Sequence, residues 1–270
     1  MVSKHRVNKP EGDGSVKLLA DALDGLEKLA QEAPSSRPVG LILDEFQSII
    51  QRGGATAEGQ IRSVIQEHSR IGHVFAGSQT RLISDMVSKH DQPFYRLGAS
   101  HFLGRIPRTE FAAHLAKKFR KSGFSVKNPA AIDSILDIAE EVPYNVLMLA
   151  HVCWEDLRAK GSEHSILTPA LVKNALVRAV NGLDPIFTQT WNKFTVAQQK
   201  ALIAMIRQDG IGLRSTSVAQ SIGLPVSTVQ SAIGALHDQN ILRDDPVAGK
   251  IRMSFEDPFF AQWVRMTVMG

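Results

Sequence analysis

An uncharged run, Val39-Gly-Leu-Ile-Leu43, leads straight into two adjacent carboxylates, Asp44 and Glu45. Preceded by Pro38 and ended by charge, so short an apolar run reads as a strand buried on both faces, the kind found in parallel sheets. Such a strand needs helices to cover it, so this feature commits the chain to an α/β arrangement. Two carboxylates at its end are costly to bury without a partner. Phosphoryl-transfer chemistry offers one. An Asp at the C-terminal edge of a strand holds Mg²⁺, often through water, and the Glu after it orients the water that attacks the terminal phosphate. That edge is also where open α/β sheets bind ligands. The plainer reading leaves Asp44 capping the next turn and Glu45 in solvent.

The surrounding pattern agrees with an α/β core. Leu18, Leu19, Ala22, Leu26, Leu29 and Ala30 recur at helical spacing from Ser15 to Ala33, and the Pro34–Pro38 stretch ends that helix. Gly53, Gly54 and Gly59 predict a loop over 51–59. A helix at 60–70, a strand at 72–76, a helix at 81–89 and a third strand at 101–106 follow. Alternating strands and helices imply parallel pairing within a three-layer αβα sandwich.

Beyond Pro107 the pattern becomes all-helical, with helices at 109–122, 129–141, 144–160 and 169–180. From Asp184 come helices at 196–208, 215–222 and 227–239. A short strand at 241–242, a turn at Pro246–Gly249 and a strand at 250–255 then follow. Two short helices and a hairpin make a winged helix-turn-helix. The domains are therefore expected at 1–107, 108–183 and 184–270.

Bulk properties exclude several classes. The net charge of +4 is spread evenly, with no basic block to track a phosphate backbone. Cys153, the single cysteine, rules out an internal disulfide and sits in an apolar helical context, Leu149 to Trp154, that suits a buried role. No apolar run approaches the ~20 residues that span a bilayer, and no secretory signal follows the basic N-terminus. The expected location is the cytoplasm. The histidines show no metal-ligand spacing, so no metal beyond Mg²⁺ is expected.

Two further segments belong with Asp44 and Glu45. Val74-Phe-Ala-Gly-Ser78-Gln79 is a second apolar strand ending in small polar residues. Beside the first strand, Ser78 or Gln79 would reach the same phosphate by a hydrogen bond; otherwise the segment is a strand-to-helix turn, with Gly77 for backbone freedom. Pro93-Phe-Tyr-Arg96 supplies a guanidinium able to stabilise the charge of a transferring phosphate, although a lone Arg is more often a surface residue.

In order, Leu41-Ile-Leu-Asp-Glu-Phe-Gln47, Ala76-Gly-Ser-Gln79, Phe94-Tyr-Arg96, Val142-Pro-Tyr-Asn-Val-Leu147 and Asp257-Pro-Phe-Phe-Ala-Gln-Trp263 resemble the archaeal-type ATPases of the STAND branch of the AAA+ P-loop superfamily. The resemblance extends from Ser15 to the end. It implies ATP and Mg²⁺ as cofactors, Asp44 as the Walker B metal ligand, Glu45 as the catalytic water-orienting base and Ser78 as the sensor on the neighbouring strand. It makes Arg96 a trans-acting or switch arginine. It also implies a lid proline that packs near the adenine. Pro143 matches, but Glu141 stands where the family usually has Gly.

The larger departure is the phosphate cradle. A nucleoside triphosphate is typically held by Gly-x4-Gly-Lys-Ser/Thr at the start of a helix, and no such stretch occurs. Gly249-Lys250 lies in the wing, and Gly12-Asp-Gly14-Ser15 has no Lys. The chain is thus read as an N-terminally truncated member, weak or inactive in ATP hydrolysis and marginally soluble through an exposed sheet edge. The alternative is a non-catalytic winged-helix regulator that binds DNA or a protein partner. DNA is disfavoured because Ser215 to Leu242 contains no Lys or Arg. By the resemblance the winged helix packs as an internal lock, and a protein partner or self-association is expected. Asp257-Pro-Phe-Phe and Trp263 either form an aromatic partner site or close the winged-helix core, and their residue types favour the core.

Overall fold

The computed structural model describes residues 13–77, 80–161, 165–247 and 250–270. It divides into two compact units, Met1–Leu103 and Gly104–Gly270.

In the first unit, α1 (Asp13–Glu32), β1 (Val39–Leu43), α2 (Gln47–Ile65), β2 (Ile71–Phe75) and α3 (Thr80–Ser88) follow one another. β1 and β2 pair in parallel, with Leu41 opposite His73 and Leu43 opposite Phe75. Leu41, Leu43 and Phe75 face a core built by Leu23 of α1, Ile61 and Ile65 of α2, and Met86 of α3, together with Phe46 and Phe94. The other face of the sheet is bare: Ile42 is 69 % exposed and Val74 53 %. Where the sequence predicts strands buried on both faces of a three-layer sandwich, the described residues form two layers, with helices on one side.

Two other expectations change. The 51–59 glycines do not make a loop. α2 is instead two helical segments meeting at a kink at Gly54, whose φ of 60° and ψ of -163° are non-helical and suit glycine. The second segment is set by Ala57, Ile61 and Ile65, which fall one helical turn apart and are buried. Residues 101–106 do not form a strand. Phe102 and Leu103 lie 67 % and 99 % exposed, without a partner strand among the described residues.

α1 is tied to β2 by a buried carboxylate. Glu27 accepts hydrogen bonds from the amides of Ser69 and Arg70, the Ser69 hydroxyl and the Gln31 side chain. Burial raises its pKa, but these bonds outweigh burial and bring it down to about 2. Glu27 therefore stays ionised and bonded at neutral pH.

The second unit holds α4 (Arg108–Lys121), α5 (Pro129–Ile138), α6 (Pro143–Ala159), α7 (Pro169–Asn192), α8 (Val196–Arg207), α9 (Thr216–Ser221) and α10 (Val226–Asp238). The antiparallel hairpin β3 (Leu242–Val247) and β4 (Lys250–Phe255) follows, then α11 (Pro258–Trp263) and a closing π-helical turn, Val264–Val268. Side-chain caps set several helix starts: Asn128 for α5, Thr168 for α7, a Thr195–Gln198 capping box for α8 and Ser215 for α9. α7 passes through residues 183 and 184 as one helix, and one apolar core runs from Phe111 of α4 to Val264. Phe259, Phe260 and Trp263 are buried in that core, where Phe260 and Trp263 stack with centroids 5.8 Å apart. Cys153 is also fully buried, and burial pushes its thiol pKa up to about 12, so it stays protonated and inert. Among the described residues, no helix is long and apolar enough to cross a membrane.

Candidate functional site

β1 delivers Asp44 and Glu45 to its C-terminal end, beside the end of β2. The ladder continues past the strands: the Ala76 amide donates to Leu43 O and the Phe46 amide to Ala76 O, both at 2.9 Å. The two carboxylates thus lie next to Ala76 and Gly77 at one edge of the sheet. Both are exposed, so they carry no burial penalty. Glu45 adopts a left-handed φ of 52°, a conformation a non-glycine residue keeps only where its surroundings enforce it. Its own amide donates to Asp44 Oδ1 at 2.8 Å, and its Oε2 accepts from Gln47 Nε2 at 2.5 Å.

Phe46 anchors this turn. It is 1 % exposed and packs on Phe75, at a centroid distance of 4.4 Å, and on Phe94, at 5.3 Å. Gln47 is buried as well. Gly77 makes room for it, since a Cβ at that position would come within 2.1 Å of Gln47 Oε1. Gln47 and Gly77 are thus positioning residues for Glu45. Sequence reading missed this role for Gln47, because a Glu-x-Gln spacing carries no distinguishing signal without the strand geometry.

Arg96 lies in the same unit, exposed, with a left-handed φ of 55° and its guanidinium over the Tyr95 ring at 5.1 Å. α2 holds the turn before it. Arg62 donates to the carbonyls of Pro93 and Tyr95, and the buried Glu58 carboxylate accepts from the Phe94 amide. Burial raises the Glu58 pKa against the lowering effect of that amide. A carboxyl with a raised folded-state pKa destabilises the fold as pH rises above its unfolded value. Glu58→Gln keeps an acceptor for Phe94 and removes the charge. It is therefore expected to melt above the parent at pH 7, with the gap closing near pH 4, as followed by circular dichroism.

Ser78 and Gln79 lie outside the described residues. Pro143 belongs to the second unit, where it is exposed as the first residue of α6. Glu141 adopts a φ of 59°. The position thus demands the backbone that glycine supplies, and Glu141 is held there by an ion pair to Arg108 Nη1 at 2.9 Å. The structure therefore brings Asp44 and Glu45 together, places Arg96 in their unit and puts Pro143 in the other.

The chain has a mostly helical α/β structure similar to AAA+ ATPase folds. It is similar to a Walker-type ATPase of Pyrococcus abyssi, with a TM-score of 0.61 and 14 % sequence identity over 92 % of this chain and 68 % of that one. It is also similar to the ORC2 protein of Aeropyrum pernix in its ADPNP–ADP complexes, with a TM-score of 0.52 and 17 % identity over 93 % and 69 % of the two chains. No protein-family model matches the sequence, and no curated protein matches it.

Proposed function

We propose that this chain is part of an ATP-dependent switch of the archaeal STAND type, with its nucleotide edge at Asp44 and Glu45. The observation that supports this most is the pair of carboxylates at the C-terminal end of a parallel strand, with Glu45 fixed by Gln47. Asp44 is the Mg²⁺ ligand on this reading and Glu45 the residue that orients water. Ser78 and Gln79 would sense the phosphate from the adjoining strand, Arg96 would act as the switch or trans-acting arginine, and Pro143 would meet the adenine. Residues 108–183 would serve as the lid and 184–270 as a winged helix.

A single exposed carboxylate suits Mg²⁺, which keeps several waters and takes its remaining ligands from phosphates. When bound, the ion would neutralise phosphate charge. The phosphates themselves have no cradle, since these 270 residues contain no Gly-x4-Gly-Lys-Ser/Thr loop. The phosphate-holding half of the site is not in this sequence. A radiolabelled ATPase assay is expected to give background release, identical in Glu45→Gln. Turnover that disappears in Glu45→Gln would overturn the reading of a half-site.

The regulator alternative gains little from α10, whose exposed face offers Ser227, Gln230 and Ser231. Two of the nearby basic residues are already engaged: Arg243 pairs with Glu140 and Asp245, and Arg252 with Asp209. They are poorly placed to neutralise DNA phosphates.

A further inference from the structure

Helix α1 carries two apolar faces. Leu19, Leu23 and Ala30 cover the core of their own unit. The face beside it is formed by Leu18, Ala22, Leu26 and Leu29, continued by Ala33 just past the helix end, and it is largely open: Leu18 is 58 % exposed, Leu26 41 % and Leu29 63 %. Leu26, Leu29 and Ala33 also form one wall of an open groove, whose other wall is Val39 to Leu41 of β1. Apolar residues three and four apart make the seam of a packed helix pair.

We propose that this seam binds α1 of a second copy of the chain, antiparallel about a two-fold axis near Gly25 and Leu26. Size complementarity supports that occupant. In this register Leu18 faces Ala33 of the partner subunit, Leu29 faces Ala22 of the partner subunit, and Leu26 meets its own symmetry mate. Large residues thus oppose small ones on both sides of the centre.

Charge supports it independently. The rim of the seam away from the core reads Lys17, Asp21, Gly25, Lys28 and Glu32, all outside the buried core. An antiparallel pair sets this rim against the same rim of its mate. Lys17 then meets Glu32 of the partner subunit and Asp21 meets Lys28 of the partner subunit, each contact occurring twice by symmetry. Gly25 falls at the crossing, where a Cβ would meet nothing within 4 Å of its own chain, so the position is open to the partner's helix. A second copy fits because one helix supplies both halves of every pair.

Sedimentation velocity of the full chain tests the proposal. The parent is expected to dimerise, and Lys28→Glu, which sets a carboxylate against the partner's Asp21 twice over, is expected to weaken dimerisation about tenfold. The double exchange Asp21→Lys with Lys28→Glu is expected to restore it. Gly25→Cys is expected to form a reducible inter-chain crosslink, since Cys153 is buried. Both exchanged residues are exposed, and unchanged circular dichroism will establish that the variants fold. A chain that stays monomeric overturns the proposal, as does a dimer indifferent to Lys28→Glu or one that the double exchange fails to restore.

Discussion

Replacement of Phe46 by Ala is expected to unfold the first unit well below the temperature at which the second melts. Phe46 is the residue through which the carboxylate turn is fastened to the core. It contacts Phe75 of β2 and Phe94 of the turn before Arg96, and Phe75 and Phe94 touch each other at a centroid distance of 5.4 Å. Truncation of so buried an aromatic costs about 3–5 kcal/mol. A unit of this size has only about 5–10 kcal/mol in total, and each kcal/mol moves its midpoint by roughly 4–8 °C. Scanning calorimetry should therefore show a separate early transition, with trypsin cleaving residues 13–103 first. Ile42→Ala is the matching control. Ile42 lies on the bare face of the same sheet, so its loss should cost less than ~0.5 kcal/mol. A cost for Ile42→Ala near that of Phe46→Ala would mean that the face is covered and the two-layer description is wrong.

That contrast marks what the sequence could reveal. β1 was legible to the residue, because Pro38 and the carboxylates bound a run with no competing pattern. Which of its faces is buried was not legible, since a run of uncharged residues has no alternation to show where the covering helices lie. Residues 101–106 have the composition of a strand, but a strand exists only through a partner, and composition says nothing of partners. The glycines at 53, 54 and 59 suggested a loop where buried positions four apart carry the helix onward. At the candidate site, Asp44 and Glu45 were readable because adjacent carboxylates after an apolar run are chemically unusual. Gln47 and Gly77, which position Glu45, are thirty residues apart and meet only once β1 and β2 are paired. Neither the left-handed backbone at Glu141 nor the arginine that pairs with it was legible, since both depend on how α4 packs beside the turn before α6.

The second unit offers the clearest case of two sequence motifs meeting in space. Asn145, from Val-Pro-Tyr-Asn, is 2 % exposed and donates from Nδ2 to Asp257 Oδ1 at 2.7 Å. The same Asp257 oxygen accepts the Phe259 amide at 2.9 Å and so caps α11. Asp257 therefore does two things at once: it starts the helix that carries Phe259, Phe260 and Trp263 into the core, and it satisfies a buried amide on α6. Asp257→Ala removes a cap worth about 1 kcal/mol and strands the Asn145 amide at a further cost of about 1–3 kcal/mol. The second unit should lose about 2–4 kcal/mol, a fall in midpoint of roughly 5–15 °C. Asp257→Asn, which retains an acceptor oxygen, should recover most of the loss. Because Asn145 and Asp257 share one bond, the double change Asn145→Ala with Asp257→Ala should cost clearly less than the sum of the single changes. Additive losses in thermal or urea denaturation would show that the two motifs act separately and that the bond between them contributes little to the fold.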